Sequence, residues 1–294
     1  MHDVLVIGGG MGGLTAAVEA ARLGKTAALV ETLPMFGGQI ANVEKVEGLS
    51  EPALGMLLAM TLMEQCMEFG VEIVAGEVTK ISPDDGSYVV ATSAGSHSAK
   101  YVIVASGAAL RPLGVPGEEA LWGRGVSQCA SCDGPLFQGA DVVVVGGGDA
   151  AAQEALVLAG FCRKVTMLCR SALKAQPSYS DRLRATQNVD VIENTVVEEV
   201  LGEDGVSALR VRNLRDGSNR EIACAGVFPF IGAAPNSGFA ADFISMDEGY
   251  ILTDENYKTN VDDIFAAGAV RKGYSGQIVD AIGEAKAAAR SACQ

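Results

Sequence analysis

Two apolar runs set the plan of the chain. Val4-Leu-Val-Ile7 and Val142-Val-Val-Val145 are uninterrupted and β-rich, and each runs straight into glycines, Gly8 to Gly10 and Gly146 to Gly148. Runs of this length bounded by glycine read as strands. Each copy continues with an Ala-rich helical stretch, Leu14 to Leu23 and Ala152 to Ala159, and then a second strand, Thr26 to Glu31 and Lys164 to Cys169. Strand, tight turn, helix, strand therefore occurs twice. Further strands are expected around Val71 to Ile81 and Tyr88 to Thr92, with Asp84-Asp85-Gly86 as a hairpin turn.

The glycines have a physical reason. A dinucleotide pyrophosphate sits on a helix N-terminus when the first glycine permits the turn, the second lets backbone N–H groups approach the phosphates, and the third lets helix pack close to strand. Gly8, Gly10 and Gly13 meet this pattern, and Gly146, Gly148 and Ala151 repeat it. Two such turns imply two dinucleotides. Glu31 lies 23 residues after Gly8, where a carboxylate accepts from an adenosine ribose hydroxyl, whereas the same spacing from Gly146 falls on Cys169, followed by Arg170. The second turn lacks the ribose-reading acid, and Arg170 there leans toward a 2′-phosphate, hence NADP over NAD.

Composition narrows the class. The chain has 294 residues, 49% hydrophobic, enough for two cores, and a formal charge of −14 that argues against a nucleic-acid partner. No apolar stretch approaches the ~20 residues that span a bilayer. A strand begins at once, leaving no room for a signal peptide, so a cytoplasmic protein without a membrane partner is expected. Seven cysteines are too sparse for a disulfide scaffold. In a reducing compartment the close pair Cys129-Ala-Ser-Cys132 reads as redox-active or metal-binding; a zinc site would need further ligands, and His2 and His97 are far away in sequence, so no metal is expected. Segments Arg111 to Glu118 and Gly232 to Gly238 have the Pro/Gly content of linkers and bracket the second turn, which suggests a unit inserted into the first.

A CxxC turn brings two sulfurs close enough to join, and neighbouring N–H groups stabilise one thiolate. By thiol exchange the more exposed cysteine attacks a partner disulfide, and the second resolves the mixed disulfide.

Val126-Ser-Gln-Cys129-Ala-Ser-Cys132-Asp133-Gly134 ahead of the second glycine turn resembles the low-molecular-weight thioredoxin reductases. So do Gly37-Gly38-Gln39, Val102-Ile-Val-Ala-Ser-Gly107, Val115-Pro-Gly-Glu118 and Ile264-Phe-Ala-Ala-Gly268, in the family's order and at close to its spacing. The resemblance implies an α/β protein of two Rossmann-like dinucleotide-binding domains, the second inserted into the first. An FAD domain of residues 1–112 and 239–294 would surround a pyridine-nucleotide and CxxC domain of residues 116–232, with linkers near 111–118 and 232–238 about which the inserted domain rotates. It implies FAD contacts from Gly8, Gly10, Gly13, Glu31, Gly38, Gln39, Gly107, Gly268 and Gln277. NADPH, or NADH in its place, would meet Gly146, Gly148, Ala151, Arg170 and Lys174. Cys129 would be the interchange thiol, Cys132 the flavin-facing one and Asp133 the acid that protonates a departing thiolate. The partner implied is a thioredoxin-like CxxC protein or a small disulfide, and the assembly a homodimer.

Three positions depart from the family. Ala269 stands where members usually carry an Asp that contacts the ribityl chain of FAD. The family's basic NADPH-reading cluster is here Cys169, Arg170, Ser171 and Lys174, of which Arg170 alone matches clearly. The segment Ile40 to Gly48 is short and lacks the usual aromatic-Pro-Gly ending. Alternatives follow: electrons from NADH, ferredoxin or another flavin, a dithiol oxidase using oxygen, or a redox sensor, against which the intact CxxCD counts. Cys66, Cys162 and Cys224 read as buried hydrophobes, Cys293 as a spectator, and Trp122 and Tyr250 as packing groups.

Overall fold

The computed structural model describes the chain except residues 33–35, 44–45 and 47–52, so part of the short Ile40 to Gly48 segment falls outside the described residues. The chain forms two compact units, one of Met1–Ala109 with Ala234–Gln294 and one of Leu110–Ala233.

The first unit opens with β1 (His2–Ile7), α1 (Met11–Arg22) and β2 (Ala27–Glu31). It continues through α2 (Gly55–Glu68) and β3 (Glu72–Ala75) to a meander, β4 (Val78–Asp84), β5 (Ser87–Thr92) and β6 (Gly95–Val104). β1 runs parallel to β2 and β6 on either side, and β3 extends the sheet beyond β2. The apolar run of β1 is continuous because both faces are covered: Val4 and Val6 pack in one core with Leu14 and Ala17 of α1, Leu5 and Ile7 in another with Ile244 and Ile251. Each such side chain contributes about 1.5–3 kcal/mol by leaving water.

The expected hairpin at Asp84 to Gly86 is present, with Asp85 and Gly86 at φ +28° and +78°. The β-rich segment expected around Val71 to Ile81 holds two strands. Gly76 breaks it by donating to Glu31 O at 2.9 Å, so β3 stays with the parallel strands while β4 pairs antiparallel with β5.

β7 (Ala108–Leu110) leads into the second unit. Its elements are α3 (Ala130–Asp133), β8 (Asp141–Val145), α4 (Asp149–Ala159), β9 (Lys164–Leu168), α5 (Pro177–Ala185), β10 (Val189–Ile192), a ladder of β11 (Thr195–Gly202), β12 (Val206–Asn213) and β13 (Asn219–Ala223), and β14 (Gly226–Pro229). Parallel strands in the order β10-β9-β8-β14 form its main sheet. Alternation again divides β8, with Val142 and Val144 packing with Ala152 and Ala155 of α4, and Val143 and Val145 with Val200 and Leu209 of the ladder.

β15 (Ala233–Pro235) pairs with β7 and leads back to a ribbon of β16 (Met246–Asp247) and β17 (Tyr250–Ile251), to β18 (Ile264–Ala266) parallel to β6, and to α6 (Ile278–Ala292) on the α1 side of the sheet. The result is the expected α/β class, two Rossmann-like units with the second inserted into the first. Arg111 to Glu118 is an ordered turn. It belongs to the second unit, where the buried Glu118 carboxylate accepts from Leu113 N at 2.8 Å and Gly114 N at 2.7 Å and fixes the turn.

Candidate active site

The two glycine turns are built by the same hydrogen bonds. Gly8 N donates to Val30 O at 2.8 Å and Gly146 N to Leu168 O at 2.9 Å, tying each turn to the end of its second strand. Gly37 N reaches Gly9 O at 2.8 Å, and Lys174 N reaches Gly147 O at 2.7 Å. Gly8 and Gly146 take φ of +106° and +148°, which a side chain would strain. A Cβ on Gly13 would lie 1.7 Å from Gly8 O, so glycine there sets how closely α1 approaches β1.

In the first unit Gly8, Glu31, Gly107 and Gly268 lie at or just past the carboxyl ends of β1, β2, β6 and β18. Gly38 approaches Gly10, Gln39 donates from Nε2 to Ala108 O beside Gly107, and Ala267 O, next to Gly268, faces Gly12. Glu31 accepts from Gly9 N at 2.6 Å through Oε2 and from Thr32 N at 2.7 Å through Oε1. The first turn of α1 carries no acidic side chain, leaving its positive end open to an anion. These residues fit a dinucleotide. Gln277 is exposed at the N-cap of α6, where its carbonyl accepts from Tyr274 Oη at 2.8 Å.

Sequence reasoning missed the support beneath Gly268. Buried Glu284 accepts from Gly268 N at 2.8 Å and Arg271 Nε at 3.2 Å through Oε2, and Arg271 Nη2 completes the fork on Oε1. Arg271 also lies over the Tyr257 ring, 5.1 Å from its centroid. Burial, with the Glu284 and Asp280 charges, pushes the Tyr274 phenol up to about 12. An acid in the Ala-rich α6 was the available signal.

In the second unit Cys169 is buried, and its thiol donates to Gly146 O at 3.2 Å. Burial, then the Glu193 charge, pushes that thiol up to about 11. Glu193 accepts from Leu173 N at 2.9 Å, within the loop that carries the exposed Arg170 and Lys174. Asp149, in the first turn of α4, accepts from Gln176 N and Nε2 at 2.8 and 2.7 Å.

Cys129 and Cys132 are joined as a disulfide with Cα atoms 5.3 Å apart. Cys129 caps the short α3, its Sγ accepting from Cys132 N at 3.2 Å and its own N–H donating to Ser127 Oγ at 3.1 Å. Cys132 is exposed and Cys129 half-buried, so exposure alone favours Cys132 for first contact with a partner, the reverse of the expected order. Asp133 follows directly, half-buried, its carboxylate without a hydrogen-bond partner among the described residues. Glu154 of α4, also missed from sequence, accepts from Ala130 N at 3.2 Å.

Burial pushes Cys66 and Cys162 up to about 11 and Cys224 up to about 12, as inert thiols require. Cys293 packs half-buried against the first core. Trp122, expected to pack, is 50% exposed, while Tyr250 is half-buried. Among the described residues no helix is long and apolar enough to cross a membrane.

The pyridine nucleotide-disulphide oxidoreductase family matches residues 2–289. The chain is 39% identical to a thioredoxin reductase of Treponema pallidum over 99% of its own length and 96% of the relative's, and 39% identical to that of Bacillus subtilis over 99% and 93%. Its fold is similar to the crystal structure of Lactococcus lactis thioredoxin reductase, with a TM-score of 0.93 and 35% identity over 99% of this chain and 98% of that one. With two glycine cradles, a CxxC disulfide in the inserted unit and likeness along its whole length, the chain belongs to the pyridine nucleotide-disulphide oxidoreductases, as a low-molecular-weight member of the thioredoxin reductase type.

Proposed function

We propose that the protein is an FAD-dependent disulfide reductase that passes electrons from a reduced pyridine nucleotide, NADPH, to the Cys129/Cys132 disulfide and on to a thioredoxin-like CxxC protein or a similar small disulfide. The observation that carries this is the disulfide itself, closed on a four-residue helix in the same unit as the second glycine turn. Residues 1–109 and 234–294 form the FAD domain, with Gly8, Gly10, Gly13, Glu31, Gly38, Gln39, Gly107, Gly268 and Gln277 as its contacts. Residues 110–233 take the nucleotide at Gly146, Gly148, Ala151, Arg170 and Lys174.

When bound, FAD supplies two-electron transfer between a nicotinamide and a disulfide. Two electrons and two protons open the Cys129–Cys132 bond to a dithiol. Asp133, adjacent and unengaged, delivers the proton to the departing thiolate and later takes it back. Cys129 is the attacking thiol in this scheme, because the Cys132 N–H that reaches its sulfur favours the thiolate, and nucleophilic attack requires thiolate more than it requires a fully exposed thiol. Its attack breaks the partner's disulfide, forms a mixed disulfide and releases one partner thiolate. Cys132 then attacks the Cys129 sulfur, restoring the internal disulfide and releasing the partner as a dithiol.

Glu193 favours a second reading for the donor, NADH, since a carboxylate beside the 170–174 loop opposes a 2′-phosphate. Anaerobic mixing with each nucleotide decides between them. Fast bleaching of the flavin by NADPH supports the first reading and by NADH alone the second; bleaching by neither, but by ferredoxin or a small dithiol, moves the protein to another donor or to an oxidase. The exposed Leu57, Met60 and Met67 of α2 support a homodimer, and a charge placed at Met60 should then yield monomers in sedimentation. The unpaired Cys66, Cys162, Cys169, Cys224 and Cys293 support a reducing, cytoplasmic setting.

A further inference from the structure

The redox turn is held by a charge that the exchange chemistry above does not use. α4 opens at the second glycine turn, and Glu154 lies in its second turn, half-buried. Its Oε2 accepts the N–H of Ala130 at 3.2 Å, and Ala130 is wholly buried as the residue directly after Cys129. N–H groups at such a turn are the donors that stabilise a cysteine thiolate and make a disulfide easy to reduce. Here one of them is given to a carboxylate, and a negative charge is set one peptide from Cys129. Cys132 N–H is left as the donor to the Cys129 sulfur.

We propose that Glu154 is a positioning residue that tunes the redox pair: by engaging Ala130 N–H and adding its charge beside Cys129, it disfavours the Cys129 thiolate and makes the Cys129/Cys132 dithiol a stronger reductant. The inference rests on the disulfide-reductase reading. Where the Cys129 sulfur of the reduced pair is ionised, the couple it acts on is balanced as disulfide plus two electrons and one proton giving one thiolate and one thiol. A group that destabilises a thiolate of the reduced form shifts this couple toward the disulfide, the opposite of what makes a strongly oxidising pair. For a protein that must hand electrons to another disulfide, that direction is the useful one.

The replacement Glu154→Gln separates charge from position, because the amide oxygen still accepts from Ala130. In the FAD-loaded protein the pair is reduced with dithiothreitol, and alkylation of the Cys129 peptide by iodoacetamide is followed by mass spectrometry across pH. A thiol/disulfide titration against dithiothreitol accompanies it. Expected for Glu154→Gln are a fall of about one unit in the alkylation midpoint of Cys129 and, in titrations at a pH above both midpoints, an approximately tenfold shift of the equilibrium toward the reduced pair, ~30 mV for a two-electron couple. Glu154→Ala should move both in the same direction. If Glu154→Gln leaves the midpoint and the equilibrium unchanged, the inference is overturned, whether or not Glu154→Ala melts earlier. A pair that dithiothreitol cannot open at all would sink the reductase reading itself, which is a distinguishable result.

Discussion

The thiol of Cys169 donates to the carbonyl of Gly146 at 3.2 Å from the strand position at which the first unit carries Glu31, whose carboxylate instead accepts the N–H of Gly9. The same fold position therefore carries a carboxylate acceptor in one unit and a buried, inward-facing thiol donor in the other.

The first prediction follows from that exchange. Cys169→Glu copies the acid of the first turn and should move donor preference toward NADH by roughly tenfold, the worth of one good hydrogen bond to a charged group. Arg170→Ala should weaken NADPH by several-fold only, because an exposed single contact contributes about 1 kcal/mol or less. Stopped-flow bleaching of the flavin at varied nucleotide concentration measures both. Unchanged NADH/NADPH ratios in both variants would remove this loop from the nucleotide site.

Flavin retention tests the first unit. Gly13→Ala puts a Cβ where 1.7 Å separates it from Gly8 O, so the turn must open and FAD should be lost or bound at least tenfold more weakly. Ala269→Asp should act oppositely and tighten FAD by about 1.5–3 kcal/mol if the half-buried position 269 faces the ribityl chain. Equilibrium dialysis or calorimetry with FAD provides the numbers. A Gly13→Ala protein that keeps its flavin with wild-type affinity would mean that the cradle lies elsewhere.

Much of this arrangement was legible in the sequence because its signals are local. A strand that ends in glycine before an Ala-rich helix needs no distant partner to be read, and Gly8 to Gly13 and Gly146 to Ala151 adopt the backbone their glycines permit. What was hidden depends on contacts between segments far apart. Glu154 meets Ala130 across 24 residues, Glu284 meets Gly268 across 16, and Glu193 meets Leu173 across 20; each reads in sequence as an ordinary helix or strand-end acid. The break at Gly76 was likewise invisible, since both pieces are β-rich and only the parallel pairing of β3 with β2 separates them.

Alkaline stability should fall through the buried thiols. Cys224 is raised to about 12, first by burial, whereas an unfolded thiol titrates near 8.5. A raised folded value favours the protonated, folded form. The contribution is therefore complete below about pH 8.5 and is lost progressively as pH rises toward 12. Urea midpoints of wild type and Cys224→Ala between about pH 7.5 and 11 isolate the effect, because every other group titrates in both. The wild-type midpoint should fall more steeply above about pH 9, by an amount on the order of 1–3 kcal/mol. Parallel curves would show that the Cys224 thiol does not stay protonated in the folded protein.

The last prediction concerns Asp133 and the order of the two sulfurs. Asp133 sits next to Cys132, half-buried and without a hydrogen-bond partner among the described residues, so its carboxylate is available to a thiolate that is leaving. Asp133→Asn retains shape and removes the acid. It should slow the dithiol-disulfide half-reaction by about 10²-fold, the usual worth of a placed general acid, with flavin content unchanged. Because a general acid delivers a proton only while it is protonated, the deficit should be largest at low pH and should shrink as the pH rises and the wild-type acid ionises. A rate reduced equally at all pH values would make Asp133 a structural residue of the turn. The companion measurement traps the partner. Cys132→Ser leaves Cys129 without its resolving thiol and should accumulate a mixed disulfide with an oxidised CxxC protein, whereas Cys129→Ser should not. Cys132 is the more exposed sulfur, and Cys129 is the one that receives an N–H donor, so the two properties make opposite forecasts. Trapping through Cys132 alone would mean that access outweighs thiolate stabilisation here and would exchange the roles of the two cysteines, leaving Asp133 beside the attacking sulfur instead of the resolving one.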